Sequence, residues 1–212
     1  MISDVTGILL AGGKSRRMGA DKRFLTVGDG TLLETSCNVL SRIFDHVCIV
    51  IAQDSQPLDA RIPVIRDLVP SCGSLGGLYT GLQHAITEHI FLAACDMPFI
   101  HADLVRYMVG KKDNADVVLA EWNGRPQPTH AVYSRNCLPV VEKLMSSGDL
   151  MIQRLIAVPA LRVRLVTEDE IHTIDPEGRS FLNVNTPSDL DRARSLYRDR
   201  LEGRYGDSPE LT

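Results

Sequence analysis

A largely apolar run from Val5 to Leu10 is cut off by Gly12-Gly13, and a basic cluster follows: Lys14, Arg16, Arg17 and, past Gly19, Lys22. A run of this length bounded by glycine reads as a buried strand that ends in a loop without side-chain bulk at two positions. A ligand can approach the backbone closely there, and four cations converge on the same place. Backbone N–H groups and cations together suit several phosphate charges at the end of one strand. The alternative for such a stretch is a glycine turn with solvated charges after an α/β strand.

Two phosphate loops are excluded by spacing. A Walker loop needs four residues between its first glycine and Gly-Lys-Ser/Thr, and a dinucleotide fingerprint needs Gly-x-Gly-x-x-Gly opening a helix. Neither is present.

The remaining chain alternates strands and helices. Thr31, with Glu34 three residues on, has the pattern of a capping box before a helix over 32–44. Val47 to Ala52 is a β-branched run, as in a strand covered on both faces of a parallel sheet. Ile62 to Ile65 gives a short strand, and Asp67 stands at its carboxyl end, where open α/β sheets hold their ligands. Residues 70–82 contain Gly73, Gly76, Gly77 and Gly81 and lead into a helix to about Glu88. The glycines leave room for a flat group or for close helix-to-sheet packing, and spacing does not separate the two.

Ile90 to Ala94 is the next buried strand, ending in Cys95-Asp96-Met97-Pro98. A carboxylate there can hold magnesium against phosphates, or can cap the helix that begins near His101 to Asp103. A helix over 103–109, a strand over 115–120, an Asn123-Gly124 hairpin and a strand within 125–135 follow. Helices are expected over 138–145 and 150–157 and a strand over 161–166. Residues 181–185 alternate as a strand with Asn183 and Asn185 on one face, and Thr186-Pro187 opens a last helix to about Leu201. From spacing, caps are the favoured role for the two amides. The pattern predicts an α/β protein with three layers around a mostly parallel sheet, one domain over 1–201 and a polar tail over 202–212.

Composition narrows the function. A length of 212 residues, 44% hydrophobic and 24% charged content and a formal net charge of −4 describe a globular chain, neither a basic nucleic-acid binder nor a disordered acidic one. Five cysteines, without a Cys-x-x-Cys pair, argue against a disulfide framework and fit a reducing cytoplasm. No apolar run is long enough to span a bilayer, and no signal peptide is legible.

The loop Leu10-Ala11-Gly12-Gly13-x-Ser15-x-Arg17-Met18-Gly19-x-Asp21-Lys22 resembles the signature of nucleotidyltransferases, and its Ala-Gly-Gly and Asp-Lys are most similar to the molybdenum cofactor guanylyltransferases. Three later segments share the resemblance: Gly73-Ser74-Leu75-Gly76-Gly77, Cys95-Asp96-Met97-Pro98 and Asn183-x-Asn185-Thr186-Pro187-x-Asp189-Leu190. Ser74 stands where the family usually has proline, and Gly76 where it often has alanine. The resemblance implies a three-layer, Rossmann-like nucleotidyltransferase fold and transfer of GMP from GTP to the phosphate of molybdopterin or its molybdenum-loaded form, with release of pyrophosphate.

Under that resemblance Lys22 and Arg17 neutralise the triphosphate and Asp96 holds magnesium. Leu10, Ala11, Gly12 and Gly13 contact the nucleotide through the backbone, and Gly73, Leu75 and Gly76 hold the guanine, with Asp67 accepting hydrogen bonds from base or ribose. Asn183 and Asn185 face the pterin and the metal region, and a Pro-x-x-Ala-x-Tyr segment at 128–133 lines the acceptor side. His130 within it departs from the family in type, and it either touches substrate or fills space, the second being the commoner role. GTP, molybdopterin and Mg2+ are the implied ligands, with transient contacts to other cofactor-biosynthesis proteins or acceptor molybdoenzymes; nucleic acid and membrane are not expected. The competing readings are a relative that uses CTP or a sugar or alcohol phosphate, and a nucleotide-binding subunit without catalysis.

Overall fold

The computed structural model describes residues 1–12 and 21–201, so Gly13, Lys14, Arg16, Arg17, Gly19 and the 202–212 tail lie outside the described residues. The first strand, β1 (Ile2–Leu10), is followed by a small β2 (Thr26–Val27) and β3 (Gly30–Thr31) ribbon and by α1 (Leu32–Ile43). Thr31 and Glu34 close the expected capping box on α1. Then come β4 (Phe44–Ile51), β5 (Val64–Arg66), α2 (Gly73–His84), β6 (His89–Ala94), α3 (Ala102–Val109), β7 (Val117–Trp122), β8 (Arg125–Ser134) and α4 (Leu138–Ser147). The chain closes with β9 (Val163–Val166), α5 (Glu168–His172) and α6 (Pro187–Leu201).

Seven strands form one sheet in the order β5-β4-β1-β6-β8-β7-β9. Only β8 runs antiparallel to its neighbours. Both faces are covered, and the alternation of side chains shows it. Leu9, Ile49, Ile51, Phe91, Ala93 and Val118 pack with α1 and α3, whereas Ile8, Val50, Ile90, Leu92 and Leu119 pack with α2 and α4. That makes three layers and explains why the central strands read as continuous apolar runs.

The hairpin between β7 and β8 matters for the site. Asn123 and Gly124 take φ of 52° and 64°, the left-handed pair that the Asn-Gly signal demands. Because β8 is antiparallel, its first residues lie at the carboxyl edge of the parallel strands, beside Trp122.

Three expectations are corrected. Residues 152–157 are a 3-10 helix and not an α-helix. The short α5 had gone unread, although Thr167 and Glu170 carry the same capping-box spacing as Thr31 and Glu34. Residues 182–185 join no ladder: Val184 donates its N–H to the carbonyl of Asp96 (2.9 Å), a loop contact, so this stretch is extended without being a strand.

Candidate functional site

The ends of β1, β4 and β6 meet at one edge of the sheet. Ala11 donates its N–H to the carbonyl of Val50 (2.8 Å), and Cys95 donates to the carbonyl of Leu10 (3.0 Å). These bonds lock the three strand ends together and leave Gly12 as the exposed residue. A Cβ on Gly12 would lie 2.9 Å from the amide nitrogen of Ala52, so only glycine lets the chain turn there.

Asp96 follows β6 directly. It does not cap α3, whose N-cap position is His101. Its Oδ2 lies 3.7 Å from Nζ of Lys22, and the two side chains are 22% and 18% exposed. Its Oδ1 is buried with no hydrogen-bond partner. Burial pushes the Asp96 carboxyl above the usual carboxylate range, with Lys22 acting in opposition. An ionised oxygen left without a donor is costly in such a place, and a hard cation is the partner that suits it.

Lys22 also donates to Oδ1 of Asn185 at 2.6 Å. The amide therefore holds the lysine and does not cap α6. The cap is Thr186, whose Oγ1 accepts from the N–H of Asp189 (3.2 Å). Asn183 donates to the carbonyl of Phe181 at 3.0 Å. Neighbouring Asp21 grips Arg23 through both carboxylate oxygens, a pair the sequence did not disclose, and this grip holds the Asp21 carboxyl below its usual range.

The four glycines of the 70–82 segment separate into two kinds. Gly76, Gly77 and Gly81 are packing glycines: an added Cβ would meet Cβ of Cys72 at 2.8 Å, Cδ2 of Leu10 at 2.7 Å and Cγ2 of Ile8 at 3.0 Å, respectively. Gly73 has φ of +58° and nothing within 4 Å of such a Cβ. It opens α2 behind Cys72, which offers no side-chain cap, so the first-turn amides carry no side-chain cap. Leu75 is fully buried. Asp67 lies beside this turn, with Oδ1 accepting from Oγ1 of Thr80 (2.7 Å) and from the N–H of Val69 (3.3 Å).

A hollow of about 420 Å³ adjoins the edge, lined by Trp122, Asn123, Arg125, Pro126, Gln127, Phe181 and Asn183. Trp122 and Phe181 stack with ring centroids 5.7 Å apart. Of the 128–133 segment, Ala131 and Tyr133 are buried core, and Tyr133 donates to the carbonyl of Pro128 at 2.7 Å. The lining comes instead from the hairpin just before that segment. His130 is fully buried between Phe91 and Phe181, with centroids 5.1 and 5.2 Å away, and neither ring nitrogen has a partner. Filling space is what it does, and burial brings its pKa down to about 4. Among the described residues, no group of three or more His, Cys, Asp or Glu side chains is arranged to hold a metal.

Residues 7–165 match the family described as the MobA-like NTP transferase domain. The chain belongs to that family. It is 34% identical over 199 residues to a protein named probable molybdenum cofactor guanylyltransferase from Pelotomaculum thermopropionicum, covering 94% of this chain and 96% of the other. The crystal structure of molybdopterin-guanine dinucleotide biosynthesis protein A from Archaeoglobus fulgidus superposes with a TM-score of 0.79 at 24% identity, covering 92% of this chain and 100% of that one. A Mycobacterium tuberculosis protein solved in complex with manganese shares the fold with a TM-score of 0.65 at 20% identity, over 91% and 98% of the two chains.

In this MobA-like domain, residues far apart in sequence meet at one edge: Lys22, Asp96 and Asn185 through direct contacts, and Asn183 two residues along the same segment. Gly73 and Asp67 flank the start of α2. Trp122 and Phe181 were not singled out by the sequence reading. The usable signal was the Asn-Gly turn, since a hairpin entering an antiparallel strand has to return its tip to the ligand edge.

Proposed function

We propose that this MobA-like protein transfers GMP from GTP to the phosphate of molybdopterin, or of its molybdenum-loaded form, and releases pyrophosphate. The observation that carries the reading is the pairing of Lys22 with a half-buried Asp96 whose second oxygen has no partner, at the carboxyl edge of β6. A nucleotide-binding subunit without catalysis has no use for that arrangement.

A phosphate nucleophile at neutral pH needs no strong base, so catalysis reduces to positioning and charge neutralisation. Lys22 neutralises the triphosphate, with Gly12 offering backbone and Leu10 and Ala11 framing the nucleotide; Arg17 and Gly13 are assigned to the same roles from the sequence motif alone. Guanine lies against the start of α2, where Gly73 and Leu75 offer first-turn backbone and Asp67 stands alongside; Gly76, expected there as well, has its N–H on the carbonyl of Cys72 (3.2 Å) and serves packing. Asp96 would hold Mg2+, which would supply charge neutralisation on the phosphates. The manganese-bound neighbour of the same fold supports divalent-metal use.

The acceptor pterin occupies the hollow of Trp122, Pro126, Gln127, Phe181 and Asn183. Its aromatic wall suits a flat heterocycle and its amides suit the heterocycle's edge. The segment 183–185 then runs from the pterin to Lys22, so the acceptor phosphate reaches the triphosphate along it. A cytoplasmic location fits five cysteines that are all free thiols.

The test is pyrophosphate release with each of the four nucleoside triphosphates, with and without molybdopterin. Release that needs both GTP and molybdopterin is the expected result. A higher kcat/KM with CTP would move the protein to the cytidylyl branch and remove the guanine assignment at α2.

A further inference from the structure

We infer that Asp189 is the positioning residue for Lys22 and acts through Asn185. Three hydrogen bonds fix the backbone on either side of the Asn185 side chain. Val184 donates its N–H to the carbonyl of Asp96 (2.9 Å), and the N–H groups of Asn185 and Thr186 both donate to Oδ2 of Asp189, at 3.0 and 2.8 Å. Thr186 accepts the backbone N–H of Asp189, which caps α6 and leaves the Asp189 carboxylate to the two amides. Around this turn Val184, Leu190 and Ala193 are buried in a small core with Val27 and Leu32, which ties α6 to the segment just after the phosphate loop.

The consequence is a relay in which every link is a hydrogen bond. Asp189 sets the Asn185 backbone, and the Asn185 amide oxygen takes the Lys22 ammonium at 2.6 Å. The Asp96 carboxylate also attracts Lys22, at 3.7 Å. An amide aims an ammonium without neutralising it, so the lysine keeps its charge for the triphosphate. A carboxylate at position 185 would form a full ion pair and compete with the phosphates. The catalytic consequence rests on the function proposed above; the positioning does not.

The first experiment therefore needs no turnover. Trace acylation of lysines, read by mass spectrometry, reports whether Lys22 is held, with exposed Lys143 as internal standard. Asp189→Ala is expected to raise Lys22 labelling several-fold relative to Lys143. Asp189→Asn keeps one oxygen able to accept both amides and is expected to label like the wild type. Thr186→Ala removes the cap of α6 yet leaves both amides on Asp189, and Lys22 labelling is expected to stay unchanged. Asn185→Ala should match Asp189→Ala, and the double variant should add nothing to either.

No rise in Asp189→Ala overturns the inference, and so does an equal rise in Thr186→Ala, which would mean fraying of α6 alone. If Asp189→Ala fails to fold by circular dichroism, Asp189→Ser, too short to hold both amides, takes its place with the same expectation. In GMP transfer, Asp189→Ala is expected to lower kcat roughly 10-fold with GTP affinity kept, and to have no further effect in a Lys22→Ala background. A wild type that transfers no GMP would count against the proposed function, and the labelling would still decide the relay.

Discussion

Nζ of Lys22 stands 3.7 Å from Oδ2 of Asp96, while Oδ1 of the same carboxylate is buried without a partner. The pair is thus half satisfied: a cation near one oxygen and no hydrogen-bond partner on the other. Such a group is kept for what it binds, because it costs the fold free energy when nothing is bound.

Asp96→Asn removes the charge and keeps the shape. Metal-dependent GMP transfer is expected to fall by roughly 10²-fold or more. Stability is expected to move the other way. The folded carboxyl titrates above its unfolded value, so its favourable contribution exists only at low pH and has been lost by neutral pH. The asparagine variant should therefore melt at or above the wild-type temperature in metal-free buffer at pH 7. A clear drop in melting temperature, or wild-type turnover, would contradict the assignment.

Lys22→Ala separates enzyme from binder. If the lysine stabilises charge that builds as pyrophosphate departs, single-turnover transfer falls by roughly 10²-fold or more while GTP affinity, measured by calorimetry, falls far less. Equal losses in the two would make Lys22 a ground-state contact. Both measurements belong at one salt concentration, because phosphate contacts are screened.

His130 predicts a pH dependence of stability. Its folded pKa is about 4, brought down by burial between Phe91 and Phe181, whereas an unfolded histidine titrates near 6.5. Below that value the unfolded chain binds a proton that the folded chain refuses, so stability falls as pH drops from about 6.5 towards 4. The loss attributable to this one residue is about 2 kcal/mol at pH 5, on the way to about 3 kcal/mol below pH 4. Urea unfolding of the wild type and His130→Leu at pH 7.5 and pH 5 measures it; the variant should lose much less on acidification.

Gly178→Ala tests how the acceptor hollow is built. Gly178 has φ of +58°, and a Cβ there would lie 2.0 Å from Cε2 of Trp122. The indole has to move, and left-handed backbone strain is added. We expect destabilisation of about 1–3 kcal/mol in urea and a shift in the emission of Trp122, the single tryptophan of the chain. Weaker molybdopterin use with unchanged GTP affinity should accompany it. Unchanged fluorescence would mean the ring does not rest on Gly178.

Much of the architecture was legible because it is written locally. Apolar runs marked the central strands, Thr31 with Glu34 and Thr186 ahead of Pro187 marked helix starts, and Asn123-Gly124 marked the hairpin, each through contacts between residues a few positions apart. The carboxyl-edge position of Asp67 and Asp96 followed from where the runs end. Period and capping say nothing about partners from distant segments, and there the tertiary structure decided. The spacing of Gly73, Gly76 and Gly77 is silent on which of them faces Leu10 or Cys72 and which stands open, since that depends on how closely α2 descends on β1. Alternation suggested a strand over 181–185, but the N–H of Val184 found the Asp96 carbonyl where a ladder would have been. Asn185 was legible as an amide near a helix start; only the folded chain, by bringing that start onto the loop after β1, made it the acceptor for Lys22.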